Sequence, residues 1–541
     1  MRKRERIKGY MTGFLNWWKK DKRYIVLLKA LIMAALPSLC CLVYCAAQGR
    51  GIGEVYLPKS EWNDELFYFK QVEGIVNFGY PQGYFGFNES HALKLSFAAW
   101  SPVLVFPWII WGLLFGWNLF SPIICNILLL TIAMLVFVCL VRPTWKQLGI
   151  LGLLFCLYTP FVRYMLSGMP EVICFSMLIV FYALAYHYLK EEKTYKLVLL
   201  FVISGLLTLM RPYMLLFLLL PMYFWIRRKK RLGLWGSAAV LILVGGGYAL
   251  IKHYLGAEYF APLFFTDWVT AFFEQGFFGG LHYFFGKLYY MGRDFMGHTV
   301  EGFRSGLASG AFFGGYLVML AVLLWQSLTD YRAYRKNKKE GKELSDKLMV
   351  LEGHLAFCFV GMLFALLLMY KLTEGSKHLL TFMAVGIFIV SLMRTRYYKK
   401  AVLVGAAFAY LYSYMAVAPY DYQVPFVEKE RKEQVESWQQ GLRNELILEE
   451  QEVPNYDNVV IWVLGDNTPT GRVSSKWQIL YALPAGFGIS CCEGEYVAEH
   501  FDVLQSKYLA TVAGGEIDKR CQEAGLRRIM CDADMVLYER Y

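Results

Sequence analysis

Apolar runs of membrane-spanning length recur along the 541-residue chain, separated by short polar or basic segments. A helix of about 20 residues covers a hydrocarbon core roughly 30 Å thick. With a cytoplasmic N-terminus, the pattern predicts helices over residues 24–47, 119–141, 148–166, 172–189, 197–210, 213–226, 234–253, 306–328, 351–370, 378–393 and 401–418. The first run is too long for a typical signal peptide and reads as an anchor that stays. Only Arg211-Pro212 separates the fifth helix from the sixth. Proline lacks an N–H and disfavours helix at the residue before it, so a tight break is expected there. The stretch SPVLVFPWIIWGLLFGW is apolar but holds two prolines, and reads as a helix embedded in the outer leaflet. Two long outer loops are expected, 48–118 and 254–305, the second rich in Phe, Tyr and Gly suited to headgroup level. A β-barrel would show alternating segments of about ten residues, and this chain does not.

Near residue 420 the pattern changes. Residues 428–452 are charged and read as helix, and NVVIWVLGD reads as a buried strand. KYLATVA, GGEIDKRCQEAGL and RRIMCDADMVLYER read as strand, helix and strand. The expected organisation is a transmembrane domain over 1–420 and an extracytoplasmic α/β domain over 421–541, its compact part at 455–541. The fold class is thus an α-helical polytopic membrane protein with about eleven transmembrane helices.

Composition agrees: 57% of residues are hydrophobic and 18% charged, against about half and a quarter in soluble domains. The net charge of +12 does not point to nucleic acid, because MRKRERIKGY, KKDKR, RRKKR, YRAYRKNKK and RTRYYKK lie before or between apolar runs. That is the positive-inside pattern, which puts the N-terminus in the cytoplasm and the C-terminal domain outside a plasma membrane. Most of the 12 cysteines fall in apolar runs; Cys491, Cys492, Cys521 and Cys531 lie in the C-terminal region without CxxC spacing. A disulfide among these four depends on an oxidising exterior.

Asp64 and Glu65 stand in EWNDELFYFK at the start of a helix whose apolar face is Leu66, Phe67, Phe69, Val72 and Ile75. Acids complement a helix N-terminus, so a solvated cap is one reading. The other takes in the outer helix ends, which carry Arg163, Glu171, Arg211, Glu374, Lys377 and His378. Charges at membrane depth pair or line polar cavities, unless they snorkel to the interface. A cavity with acids at its rim and cations in its wall would hold a lipid phosphate and a second substrate.

NDELFYFKQVE, SPVLVFPWIIWGLLFGW, SGLLTLMRPYMLLFLLLP and GSKHLLTFMAVGIFIV follow in that order. With them, residues 24–392 resemble the GT-C superfamily of integral-membrane glycosyltransferases, which includes protein O-mannosyltransferases and aminoarabinose transferases. Ser101-Pro102, Pro170-Glu171 and Lys377-His378 depart from the paired prolines, the Glu-Pro and the Arg-Tyr of that pattern. The resemblance implies an inverting transfer of a sugar from a polyprenyl-phosphate-linked donor to a glycan, lipid or protein acceptor on the outer face. Asp64 would be the general base and Glu65 its assistant. Arg211, Lys377, His378 and Arg163 would hold the leaving phosphate, and His91 and Glu171 would bind substrate. No cofactor is certain. A divalent cation, held by such acids in some relatives, would draw on Asp64, Glu65 and His91 or Glu171, although no spacing demands one. The alternative is a transporter or flippase for a lipid-linked or anionic glycan, which predicts inverted repeats and helices broken at the midplane.

Overall fold

The computed structural model describes residues 22–55, 63–79, 81, 85–89, 102–157, 160–255, 265–305, 307–339, 347–370, 376–392, 426–427, 429–446, 456–464, 481, 483–531 and 535–541. The expected helix at 401–418, His91 and Glu374 lie outside the described residues.

The chain enters through α1 (Lys22–Ala47), followed by α2 (Asn63–Phe78), the short α3 (Phe106–Phe115) and α4 (Ser121–Val141). Gly116 stops α3 at φ 82°, a left-handed conformation that glycine adopts without steric cost. Next come α5 (Trp145–Leu157), α6 (Pro160–Met165), α7 (Glu171–Lys190), α8 (Thr194–Met210), α9 (Leu215–Lys229) and α10 (Arg231–Leu255). Six helices among the described residues are long and apolar enough to cross a membrane: Tyr24–Ala47, Ser121–Val141, Glu171–Lys190, Arg231–Leu255, Phe313–Lys336 and Leu348–Met369. Four shorter apolar helices accompany them, over 102–115, 145–156, 194–210 and 377–392. The protein is an integral membrane protein built from helices.

At the centre stands α7, packed by α4, α8 and α15 (Ser376–Leu392). Ile173, Phe175, Leu178, Phe181 and Ala185 are all buried, so its apolar character all round is matched by neighbours all round.

Three expectations are corrected. The single helix at 148–166 is two, because Pro160 opens α6; its fixed φ and missing N–H suit a first helical position. The outer loop at 254–305 holds α11 (Asp267–Glu274) and α12 (Gly276–Ser305), a 30-residue helix. Its glycines do not break it. A Cβ at Gly280 would lie 2.4 Å from the Phe272 ring, so glycine permits the close approach of α11 to α12. Asp267 clamps the same pair, accepting from Lys287 Nζ at 2.6 Å and from the Tyr283 hydroxyl at 2.6 Å. Finally, α13 (Leu307–Lys339) runs past residue 328 through the basic stretch, ahead of α14 (Lys347–Met369).

The C-terminal unit begins with α16 (Lys429–Glu445) and carries a six-stranded sheet. The strands are β1 (Phe85–Phe87), β2 (Val459–Leu464), β3 (Gly488–Glu493), β4 (Tyr508–Val512), β5 (Arg527–Cys531) and β6 (Met535–Glu539). Their order is β1-β3-β2-β4-β6-β5: the first four are parallel, and β6 is antiparallel to both β4 and β5. RRIMCDADMVLYER is therefore two strands rather than one. Helices α17 (Gly494–His500) and α18 (Glu516–Glu523) cover the sheet. The thiols of Cys491, Cys492 and Cys521 are buried and free. The strand β1 comes from the segment after α2, and it joins the first outer segment to the C-terminal sheet, with Phe85 opposite Ile489 and Phe87 opposite Cys491. Glu89 locks the joint by accepting from the backbone N–H of Gln505 at 2.9 Å and of Ser506 at 2.6 Å.

Candidate active site

Five separate segments bring charged side chains together at one end of the helices. The first turn of α2 supplies Asp64 and Glu65, α6 supplies Arg163, and α7 opens with Glu171. Arg211 occupies the break between α8 and α9. Its extended backbone, φ −146° and ψ 115°, is the conformation favoured before a proline. The last segment is the start of α15, with Lys377 and His378.

These residues form three carboxylate–cation pairs. Asp64 Oδ2 accepts a short hydrogen bond from Lys377 Nζ. Glu65 Oε1 lies 3.5 Å from Arg163 Nη1 and accepts from the Gly168 N–H at 3.2 Å. Glu171 Oε1 accepts from Arg211 Nη2 at 2.6 Å. From Nη1, Arg211 also reaches the Tyr213 hydroxyl at 3.1 Å and makes a short contact with His378 Nδ1. Because guanidinium can only donate, His378 Nδ1 is the acceptor in this contact. The His378 ring is held between Tyr213 and Tyr370, with centroids 5.2 and 4.9 Å away.

The pairs differ in access. Glu171 and Arg211 are fully buried, and the Glu65 and Arg163 side chains are 0% and 4% exposed. The Asp64 side chain is 35% exposed and that of Lys377 is 19%. Solvent thus reaches the site at the Asp64–Lys377 pair. The solvated-cap reading fails for Glu65, which is wholly inside.

A buried polar chain braces the site from below. Trp108 Nε1 donates to Asn126 Oδ1 at 3.1 Å, and Asn126 Nδ2 donates to the carbonyls of Ser167 and Met169, each at 3.2 Å. This holds the turn whose Gly168 N–H meets Glu65. Behind the same helix, Tyr68 is buried; burial raises its phenol well above the usual range, and Asp64 adds to the effect.

All the sequence-derived site residues that are described meet here: Asp64, Glu65, Arg163, Glu171, Arg211, Lys377 and His378. Sequence reasoning missed Tyr213, Tyr68, Asn126 and Gly168. Tyr213 directly follows Arg211-Pro212, and Asn126 is an amide within an apolar run; both signals were visible. Among the described residues, no group of three or more His, Cys, Asp or Glu side chains is arranged to hold a metal ion, and the nearby acids are each engaged by a cation.

No protein-family model matches the chain, and no curated protein matches it. Solved structures that align with it include two of ArnT from Cupriavidus metallidurans, one bound to undecaprenyl phosphate and one in the apo state. Identity is 11% and 12% respectively; each alignment covers 94% of this chain and 97% of that one, with a TM-score of 0.41.

Proposed function

We propose that the protein is a glycosyltransferase that moves a sugar from a polyprenyl-phosphate-linked donor to an acceptor on the outer face of the membrane, with inversion at the anomeric carbon. The observation that carries this reading is the Asp64–Lys377 pair, accessible at the mouth of a cluster whose other two pairs are sealed. The N-terminus is cytoplasmic and the C-terminal unit extracytoplasmic in this reading, which the basic segments between apolar runs support.

Lys377 takes the donor phosphate. A phosphate oxygen competes with the Asp64 carboxylate for the same ammonium, so donor binding releases Asp64 beside the sugar. The acceptor hydroxyl then attacks the anomeric carbon, its proton passes to Asp64, and the bond from that carbon to the phosphate oxygen breaks. The electron pair leaves on the lipid phosphate, where Lys377 stabilises the growing charge. Attack opposite the leaving group inverts the centre, as in single-displacement glycoside chemistry. Arg211, Glu171 and His378 form the buried frame that fixes the start of α15, and hence Lys377. Arg163 and Glu65 fix the first turn of α2, and hence Asp64.

The test is transfer of a labelled sugar from a polyprenyl-phosphate donor by protein reconstituted in vesicles. Asp64→Asn keeps the shape but removes the base, and transfer should fall by about 10²- to 10⁴-fold at unchanged protein abundance. Transfer by Asp64→Asn at the wild-type rate would remove Asp64 from the reaction.

A further inference from the structure

The C-terminal unit reaches α2 at a second place besides β1. Lys70 Nζ donates to the Leu483 carbonyl at 2.5 Å and to Glu73 Oε2 at 2.7 Å, with Lys70 itself buried. Two residues before Leu483, the Tyr481 ring packs on Phe69 with centroids 5.4 Å apart. Phe69 lies four residues after Glu65, one helical turn on, and a helical side chain covers the turn N-terminal to its own Cα. The Phe69 contact therefore puts Tyr481 over the turn that carries Glu65.

Tyr481 is 1% exposed, and its hydroxyl has no hydrogen-bond partner among the described residues. A buried hydroxyl left unpaired is costly, and phenylalanine would fill the same space without that cost. Burial, first, and then the charge of Glu65 hold the phenol well above its usual range, with Arg163 opposing. It is protonated and ready to donate.

We propose that Tyr481 is a positioning residue of the active site, supplied by the C-terminal unit, whose hydroxyl donates to the Glu65 carboxylate when the site is occupied. This rests on the glycosyltransferase reading. With the donor bound at Lys377 and Asp64 released, the first turn of α2 loses one of its ties. The Tyr481 hydrogen bond then holds Glu65 against Arg163 and keeps Asp64 aimed at the acceptor.

The experiment uses the full-length protein in vesicles with the polyprenyl-phosphate-linked sugar, comparing wild type with Tyr481→Phe. The variant should unfold at or above the wild-type temperature, because it sheds an unpaired hydroxyl. Its kcat should fall about tenfold with little change in KM for the donor, because the hydroxyl aims Asp64 without touching the donor. A purely structural tyrosine predicts the same unfolding temperature with unchanged kcat, and that result overturns the inference. So does loss of folded protein in Tyr481→Phe, which would make the hydroxyl a structural element. If the wild-type protein transfers no sugar, the glycosyltransferase reading falls and this inference with it; if wild type transfers and Tyr481→Phe matches it, only the inference falls.

Discussion

The sealed Glu171–Arg211 pair and the accessible Asp64–Lys377 pair are each a carboxylate on a cation, yet they differ in how far solvent reaches them. Glu171 and Arg211 have no exposed surface, and the Arg211 guanidinium also contacts Tyr213 and His378 through Nη1. A charge pair in that position cannot exchange partners cheaply, since either ion alone would sit unsolvated in a low-dielectric interior. The Asp64–Lys377 pair meets solvent, where an ion pair is worth little and is easily traded for another anion. In the proposed reading, this difference in burial makes one carboxylate–cation pair a frame and the other a switch.

That contrast can be broken most directly at Arg211. Arg211→Met leaves Glu171 buried without its cation, and should cost about 3–5 kcal/mol, enough to lose most folded protein in a detergent unfolding assay. Adding Glu171→Gln to the same chain should recover part of the loss. If Arg211→Met is fully stable, the sealed pair is no frame. Next in size is Asp64→Asn, with its large loss of transfer but near-normal stability. Lys377→Ala should lower transfer about 10- to 100-fold and raise KM for the donor, since a single charge-assisted contact to phosphate is removed. The smallest effect is on folding: neither substitution at the mouth should change stability by more than about 1 kcal/mol.

The membrane helices were legible because lipid demands long apolar runs, and the break at Arg211-Pro212 because proline forces it. The helix-end charges were legible as a set for the same reason: an ionisable group next to an apolar run is expensive and conspicuous. Their pairings were not. Nothing in the local sequence joins Asp64 to Lys377, 313 positions away, or makes Glu65 the buried acid and Asp64 the accessible one. Residues 276–305 read as loop because seven glycines lie among the aromatics, whereas Gly280 serves a close helix approach. The strand β1 is three residues long and exists only through its pairing with β3, more than 400 positions on, so no periodicity could reveal it. Tyr481 belongs to the same class, since its meaning comes from the α2 turn that it covers.

The central claim is that Asp64 and the donor phosphate compete for Lys377. Binding of a sugar-free polyprenyl phosphate to wild type, Asp64→Asn and Lys377→Ala in vesicles measures that competition. The expected result is that Asp64→Asn binds the lipid about tenfold tighter than wild type, because Lys377 has lost its resident carboxylate, while Lys377→Ala binds it more weakly. Weaker binding by Asp64→Asn, or equal binding by all three proteins, would contradict the account.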